Sequence, residues 1–215
     1  MRAFVTGGTG YMGSRLIPLL QGRGHRVTAL VRPGSERKLP QGCNIVQGDA
    51  LDGDSYQSKL ADCDTFVQLI GVAHPSPAKA AEFVSIDRKS AMEAIRVAAG
   101  CGIRQFVYLS VAHPAPMMHA YIEVRSACED ALRASGLNAT ILRPWFVLGP
   151  GHRWPYVLIP FYRVAELIPS TRAGATRLGL VTIAQMVNAL AAAVENPASG
   201  VKVVEVPEIR RAALL

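Results

Sequence analysis

Three glycines at three-residue spacing mark the first place where this chain could do chemistry. Thr6-Gly7-Gly8-Thr9-Gly10-Tyr11-Met12-Gly13 fits G-x-x-G-x-x-G through Gly7, Gly10 and Gly13, and G-x-G-x-x-G through Gly8, Gly10 and Gly13. Glycine serves such a loop in three ways: a tight turn, close backbone approach to a pyrophosphate, and close packing of the next helix on the preceding strand. The helix that follows offers unpaired N–H groups and a partial positive charge to phosphate. The loop here follows a short apolar run and opens a helical pattern, which is the context a dinucleotide-binding loop requires. The alternative is a purely structural turn.

The residues that close the next apolar runs extend this reading. Dinucleotide sites selective for NAD carry a carboxylate after the second strand, for the ribose hydroxyls. Here that place, 19 residues after Gly13, is Arg32, with Arg37 and Lys38 close behind. A guanidinium suits the 2′-phosphate of NADP through forked, charge-assisted hydrogen bonds. NADP(H) is therefore the expected cofactor, with NAD(H) possible, and a merely solvated Arg32 is the alternative. Asp49 and Ala50 follow the third run, where the carboxylate could accept a hydrogen bond from an adenine amino group or cap a turn. The fourth run ends Ile70-Gly71-Val72, and Gly71 would let the backbone pass close to the cofactor.

These residues need a scaffold that brings the ends of several strands together. Arg2 to Thr6, Arg26 to Arg32, Asn44 to Gln47, Thr65 to Ile70, Gln105 to Ser110, Thr140 to Leu142, Leu178 to Val181 and Val201 to Val206 read as strands. Helical spacing runs through Met12, Leu16, Leu19 and Leu20, with a bend expected at Pro18, and through residues 82–99, 120–135 and 183–195. Strands alternating with helices predict an α/β fold: a doubly wound, Rossmann-type parallel sheet in a single domain over 1–215, with a short C-terminal cap. Ligands of such sheets bind at the carboxyl ends of the strands, where the strand order reverses.

Segment 144–181 breaks the alternation. It holds five prolines, and six of the chain's aromatic residues fall between Trp145 and Tyr162. It is expected to be an irregular cap, with a substrate lid or a subunit contact as its functional readings. Its apolar part, 154–169, is a candidate patch for docking on a membrane surface or a partner.

Taken together, the chain resembles the short-chain dehydrogenase/reductase superfamily, in its extended and atypical branches of NAD(P)H-binding, NmrA-like and epimerase/dehydratase-like proteins. The likeness rests on Thr6 to Gly13, Val31-Arg32, Gly48-Asp49, the strand Phe106-Val107-Tyr108-Leu109-Ser110, the helix start Tyr121 to Arg125, Leu142-Arg143-Pro144, and Val181-Thr182 before a late helix. In that family a Tyr-x-x-x-Lys pair moves the substrate proton, its lysine also holds the nicotinamide ribose, and a serine after the fifth strand steadies the substrate oxygen. The resemblance implies Tyr121 as the proton carrier, which would also touch the cofactor, with Arg125 in the place of the lysine. Residues i and i+4 share one helix face, although a planar fork is not equivalent to a compact ammonium. The family's serine falls near Val111, and Ser110 precedes it as the candidate. A plain core or helix-surface role is the alternative for Tyr121. The resemblance also implies that the backbone past Pro144 approaches the nicotinamide, with Trp145 and Phe146 walling the pocket or packing the core.

His74, His113 and His119 stand where a substrate could sit, as hydrogen-bond donors or acid–base groups or as plain loop residues. His113, His119 and His152 match no common metal-ligand spacing, so no metal is expected. Cys43, Cys63, Cys101 and Cys128 form no CxxC pair and read as reduced thiols. Half of the 215 residues are hydrophobic, which excludes disorder, and no run reaches the length of a membrane span. The net charge of +7 comes from 18 Arg and 5 Lys against 16 acids, dispersed along the chain. Without a basic cluster or a known module, nucleic-acid binding is not expected. The expectation is a soluble, cytoplasmic protein, with a homo-oligomer possible. Two functions fit: an NADPH-dependent oxidoreductase or isomerase of small carbonyl substrates, of unknown identity, and a non-catalytic NADP(H)-binding redox sensor or regulator of NmrA-like type.

Overall fold

The computed structural model describes residues 1–151 and 154–212. Seven strands form one parallel sheet: β1 (Arg2–Thr6), β2 (Arg26–Val31), β3 (Asn44–Gln47), β4 (Thr65–Gln68), β5 (Gln105–Leu109), β6 (Ala139–Arg143) and β9 (Val201–Glu205). Their spatial order is β3-β2-β1-β4-β5-β6-β9, and every neighbouring pair is parallel. The order reverses between β1 and β4, so the glycine loop after β1 and residues 69–72 after β4 lie side by side at one sheet edge. The sheet is the Rossmann-type architecture expected from the alternation.

Side-chain alternation on the strands splits the core into two layers. Ala3, Val5, Val107 and Leu142 face one side and pack with α1 (Gly13–Gly22) and α7 (Ile183–Glu195). Phe4, Phe66, Phe106, Tyr108 and Ile141 face the other, against α3 (Lys89–Gly100) and α4 (His119–Ala134). Phe4, Phe66 and Phe106 are register partners on three adjacent strands. Their rings sit 5.3 and 5.2 Å apart, the second pair stacked, which locks the register at the centre of the sheet.

Helix α1 runs on through Pro18. The helix expected over 82–99 starts as α2 (Ala80–Glu82), passes through a π-helical turn over Phe83–Arg88 and continues as α3. Such turns recur at functional sites because they swing one residue out of the regular face. Four strands of the main sheet, β2, β4, β5 and β9, end one or two residues before their apolar runs. β4 ends at Gln68, where Leu69 and Ile70 pass beside Gly7, and β2 ends at Val31, just before Pro33 and Gly34.

The irregular cap expected over 144–181 is instead largely regular. It contains β7 (Phe146–Leu148) and β8 (Leu180–Thr182), which pair in parallel as a separate two-stranded sheet, and the helices α5 (Ile159–Leu167) and α6 (Pro169–Arg177). Its prolines misled the pattern because Pro160 and Pro169 occupy first-turn positions, where the missing N–H has no bond to make. A further helix, α8 (Val206–Arg211), follows the last strand, with Pro207 in its first turn and a Glu205/Glu208 capping box.

Candidate active site at the switch point

The glycine loop is built as its spacing requires. Gly7 takes φ +72°, and Gly10 N–H bonds the Gly7 carbonyl at 3.0 Å. A Cβ on Gly13 would lie 2.4 Å from the Gly7 oxygen and 2.6 Å from Gly8 Cα, so only glycine lets α1 start against the loop. No side chain caps α1, and its first turn holds no acidic residue. Ser14 N–H bonds the Gly10 carbonyl at 3.0 Å and Arg15 N–H the Met12 carbonyl at 3.1 Å, so what this helix start offers a phosphate is its dipole and the loop backbone before Gly13. Tyr11 packs under the cap: a Cβ on Gly149 would meet its hydroxyl at 2.3 Å, and the Arg15 guanidinium covers its ring at 4.3 Å.

At the end of β2, Arg32, Arg37 and Lys38 are all exposed. Glu36, the acid among them, has its carboxylate taken by Gly34 N–H at 3.0 Å and the Gln47 amide at 2.7 Å. Its own backbone and Gly34 hold its carboxyl below the ordinary value. Asp49 is exposed and accepts Leu51 N–H at 2.9 Å through one oxygen, the turn role of its residue type. Ala50 is half-buried against the Phe4 layer. Ile70, Gly71 and Val72 border the loop: the Gly7 Cβ position is 3.1 Å from Ile70 N.

Tyr121 and Arg125 pack together, Ser110 follows β5 in a separate network, and two of these three catalytic candidates are tied to partners that sequence reasoning missed. Arg125 is 4% exposed and pairs through Nη2 with Asp87, fully buried in the π-turn, at 2.6 Å. Its Nη1 donates to the Leu109 carbonyl at 2.8 Å and to the Tyr108 hydroxyl at 3.3 Å. Asp87 also accepts Val72 N–H at 2.9 Å. Burial pushes the Asp87 carboxyl up, against the Arg125 charge and the Val72 hydrogen bond. Arg125 thus clamps the ends of β4 and β5 to the π-turn. Ser110 Oγ donates to Glu129 at 2.6 Å, and Glu129, fully buried, is also held by Arg143 on both carboxylate oxygens and by Arg133 at 3.0 Å. Burial would raise the Glu129 carboxyl, but the Arg143 and Ser110 hydrogen bonds outweigh it and the value is lowered.

Tyr121 is half-buried, its ring 4.9 Å from Phe83 and 5.1 Å from the Arg125 guanidinium. Among the described residues nothing hydrogen-bonds its hydroxyl. The signal for Asp87 and Glu129 was present in the sequence. Phe83, Asp87, Ala91 and Ala94 fall on one helical stripe, and Glu129 continues from Arg125 by four, so a charge stands in line with buried positions.

His113 lies beside this cluster, its Nε2 3.4 Å from Glu129 Oε1, while His74 and His119 are exposed. His152 lies outside the described residues. Among the described residues no group of three His, Cys, Asp or Glu side chains is placed to hold a metal. Pro144 is buried and its carbonyl accepts Ala112 N–H at 2.9 Å, while Trp145 and Phe146 contact edge to face at 5.7 Å.

Residues 7–157, from the first glycine into the cap, match the model of a family described as NAD(P)H-binding. The chain belongs to that family, within the short-chain dehydrogenase/reductase superfamily. A 3-diazoavenalumate denitrifying reductase of a Streptomyces species is 26% identical over 93% of this chain and 74% of its own length. A ceramide reductase of Caulobacter vibrioides is 24% identical over 96% of this chain and 64% of its own. A photosystem II assembly factor of Synechocystis is 28% identical over 66% of this chain and 44% of its own. The chain thus spans less than the full length of each.

Among solved structures, the Bordetella bronchiseptica enzyme WbmH in complex with NAD+ overlays with a TM-score of 0.70 at 22% identity, over 93% of this chain and 74% of that one. The Thermus thermophilus UDP-glucose 4-epimerase complex with NAD does so at 0.70 and 19%, over 100% and 81%. These two likenesses concern the fold. This NAD(P)H-binding family member is a pyridine-nucleotide-binding protein of the reductase and epimerase-like superfamily.

Proposed function

We propose that this protein is an NADP(H)-dependent reductase or isomerase of a small carbonyl compound, with Tyr121 carrying the substrate proton. The observation that carries the reading is the uncommitted Tyr121 hydroxyl, at the sheet edge where the ends of β4 and β5 meet. The bound nicotinamide supplies or receives the hydride. The glycine loop and α1 hold the pyrophosphate, and Ile70 to Val72 with Pro144 border the path to the reacting end. The preference for NADP(H) rests on exposed Arg32, Arg37 and Lys38 and on the engagement of Glu36 by Gly34 and Gln47. The reductases among the relatives support a reductive role.

A second reading, an NADP(H)-binding sensor or regulator of NmrA-like type, draws on a specific feature. Ser110 and Arg125 are held by Glu129 and Asp87, so two of the three residues the superfamily uses in catalysis are already engaged. The relative that is an assembly factor is compatible with it.

One experiment separates the two. NADPH and NADH are titrated by cofactor fluorescence against wild type and Arg32→Ala, and NADPH oxidation is followed over a panel of small carbonyl compounds. Loss of the NADPH preference in Arg32→Ala supports the cofactor assignment, and equal affinities in both proteins overturn it. Oxidation that disappears in Tyr121→Phe supports the enzyme. Binding without turnover supports the sensor.

A further inference from the structure

Helix α5 turns its apolar stripe the wrong way for a helix of a soluble domain. Phe161 and Val164 lie three apart on one face of α5, with Val157 in the turn before the helix and Ile168 just past its end. That face is exposed: Val157 66%, Phe161 69%, Val164 57% and Ile168 45%, with Leu167 beside it at 82%. None of the nine residues of α5 is fully buried. Five neighbouring large apolar side chains in water form a patch that asks for an occupant.

The charges around the patch choose between occupants. Arg163 and Arg172 are exposed beside it. Glu166, the one acidic residue in the sequence from 154 to 177, has its carboxylate bound by Arg210 at 2.8 Å and only 20% exposed. The rim is therefore cationic, and the whole chain carries +7. A second copy seated on this face would bring two cationic rims together. An anionic lipid surface complements both parts at once: acyl chains for the stripe, headgroups for the arginines.

The patch also belongs to the wall of the candidate site. Arg177, at the end of α6, donates to the Pro114 carbonyl in the loop after β5 at 3.2 Å, and Gly149 after β7 packs on Tyr11 of the glycine loop. Between α5 and α6 a shallow cavity of about 240 Å³ lies among Phe161, Tyr162, Ala165 and Leu178. We propose that the exposed face of α5 docks the protein on an anionic lipid surface, placing the cap and the sheet edge beneath it against the bilayer interface. This inference does not depend on turnover at Tyr121.

The test is co-sedimentation of the full chain with phosphatidylcholine vesicles, with and without phosphatidylglycerol, at low and high salt. Two variants accompany wild type: Phe161→Ser/Leu167→Ser and Arg163→Glu/Arg172→Glu. These positions are exposed, so folding should survive, and an NADPH titration of each variant checks it. The expected result is binding to the anionic vesicles that falls at high salt. Each variant should bind about tenfold or more weakly while its NADPH affinity stays that of wild type. Failure of wild type to sediment with anionic vesicles overturns the proposal. Equal binding to neutral vesicles, or binding that survives Arg163→Glu/Arg172→Glu, overturns the anionic assignment. Concentration-dependent dimers that Phe161→Ser/Leu167→Ser abolishes, without vesicle binding, would assign the face to a second copy instead. Absence of NADPH binding in wild type would count against the cofactor reading and leave the vesicle result to stand by itself.

Discussion

Replacing Arg125 separates its structural role from the ribose-holding role that family resemblance gives position 125. Arg125→Met keeps the stem and removes the charge. It leaves Asp87, fully buried, with Val72 N–H as its remaining donor, and strips the Leu109 carbonyl and the Tyr108 hydroxyl of theirs. Removing one member of a buried pair costs about 3–5 kcal/mol. With a urea dependence of about 2 kcal/mol per molar, the unfolding midpoint should fall by roughly 1.5–2.5 M. Arg125→Lys keeps the charge but cannot reach Asp87 and the Leu109 carbonyl with one fork, and should lose about 1–2 kcal/mol. Adding Asp87→Leu to Arg125→Met removes the orphaned carboxylate and should recover at least about 1 kcal/mol, the coupling expected of a buried ion pair. The assay is urea unfolding followed by tryptophan fluorescence, beside an NADPH titration of each folded variant. Were Arg125→Met to unfold at the wild-type midpoint while losing NADPH affinity, the clamp reasoning would be refuted and the ligand-holding role restored.

Two further predictions rest on other parts of the site. Gly13→Ala forces a methyl onto backbone atoms of Gly7 and Gly8 that cannot rotate away, so it should cost about 1–3 kcal/mol and abolish nucleotide binding. Gly22→Ala, in the same helix with nothing within 4 Å, should be neutral or stabilise by up to about 1 kcal/mol, and thermal shift with NADPH titration reads both. Because the folded Glu129 carboxyl is held below its ordinary 4.5, the stability it contributes is complete above that value and is lost as pH falls through its lower folded value. Urea midpoints measured from neutral pH down into the acid range should therefore decline, and Glu129→Gln should start lower and decline less steeply.

What the sequence made legible was whatever depends on local pattern. The glycine spacing named both the loop and the sheet edge, because a tight turn and close helix packing are properties of consecutive residues. Parallel strands buried on both faces read as apolar runs, and the seven that pair in the main sheet were found within a few residues of their ends. The cap was misread because proline is a breaker inside a helix and a starter in its first turn, and the sequence does not say which applies at Pro160 or Pro169. The partners of Ser110 and Arg125 were hidden for a different reason. Asp87 is 38 residues from Arg125 and Glu129 is 19 from Ser110, so only the packing of helices on the sheet brings them together.

That packing changes how the catalytic motif should be weighed. Lysine at position 125 would place one compact charge, free to turn its three donors toward a ribose. Arginine there is buried, and four hydrogen bonds, two to strand-end carbonyls, one to Tyr108 and one to Asp87, aim its terminal nitrogens into the protein. The two strand ends that must stay together for a cofactor to lie across them are the ones it joins. The charge that holds a ribose in the family's pattern ties strand ends to the π-turn here. On the proposed reading the group left for chemistry is the Tyr121 hydroxyl, whose ring lies beside Phe83 and the Arg125 guanidinium. If Tyr121→Phe leaves both NADPH oxidation and NADPH affinity untouched, the tyrosine belongs to the floor as well, and another group carries the proton.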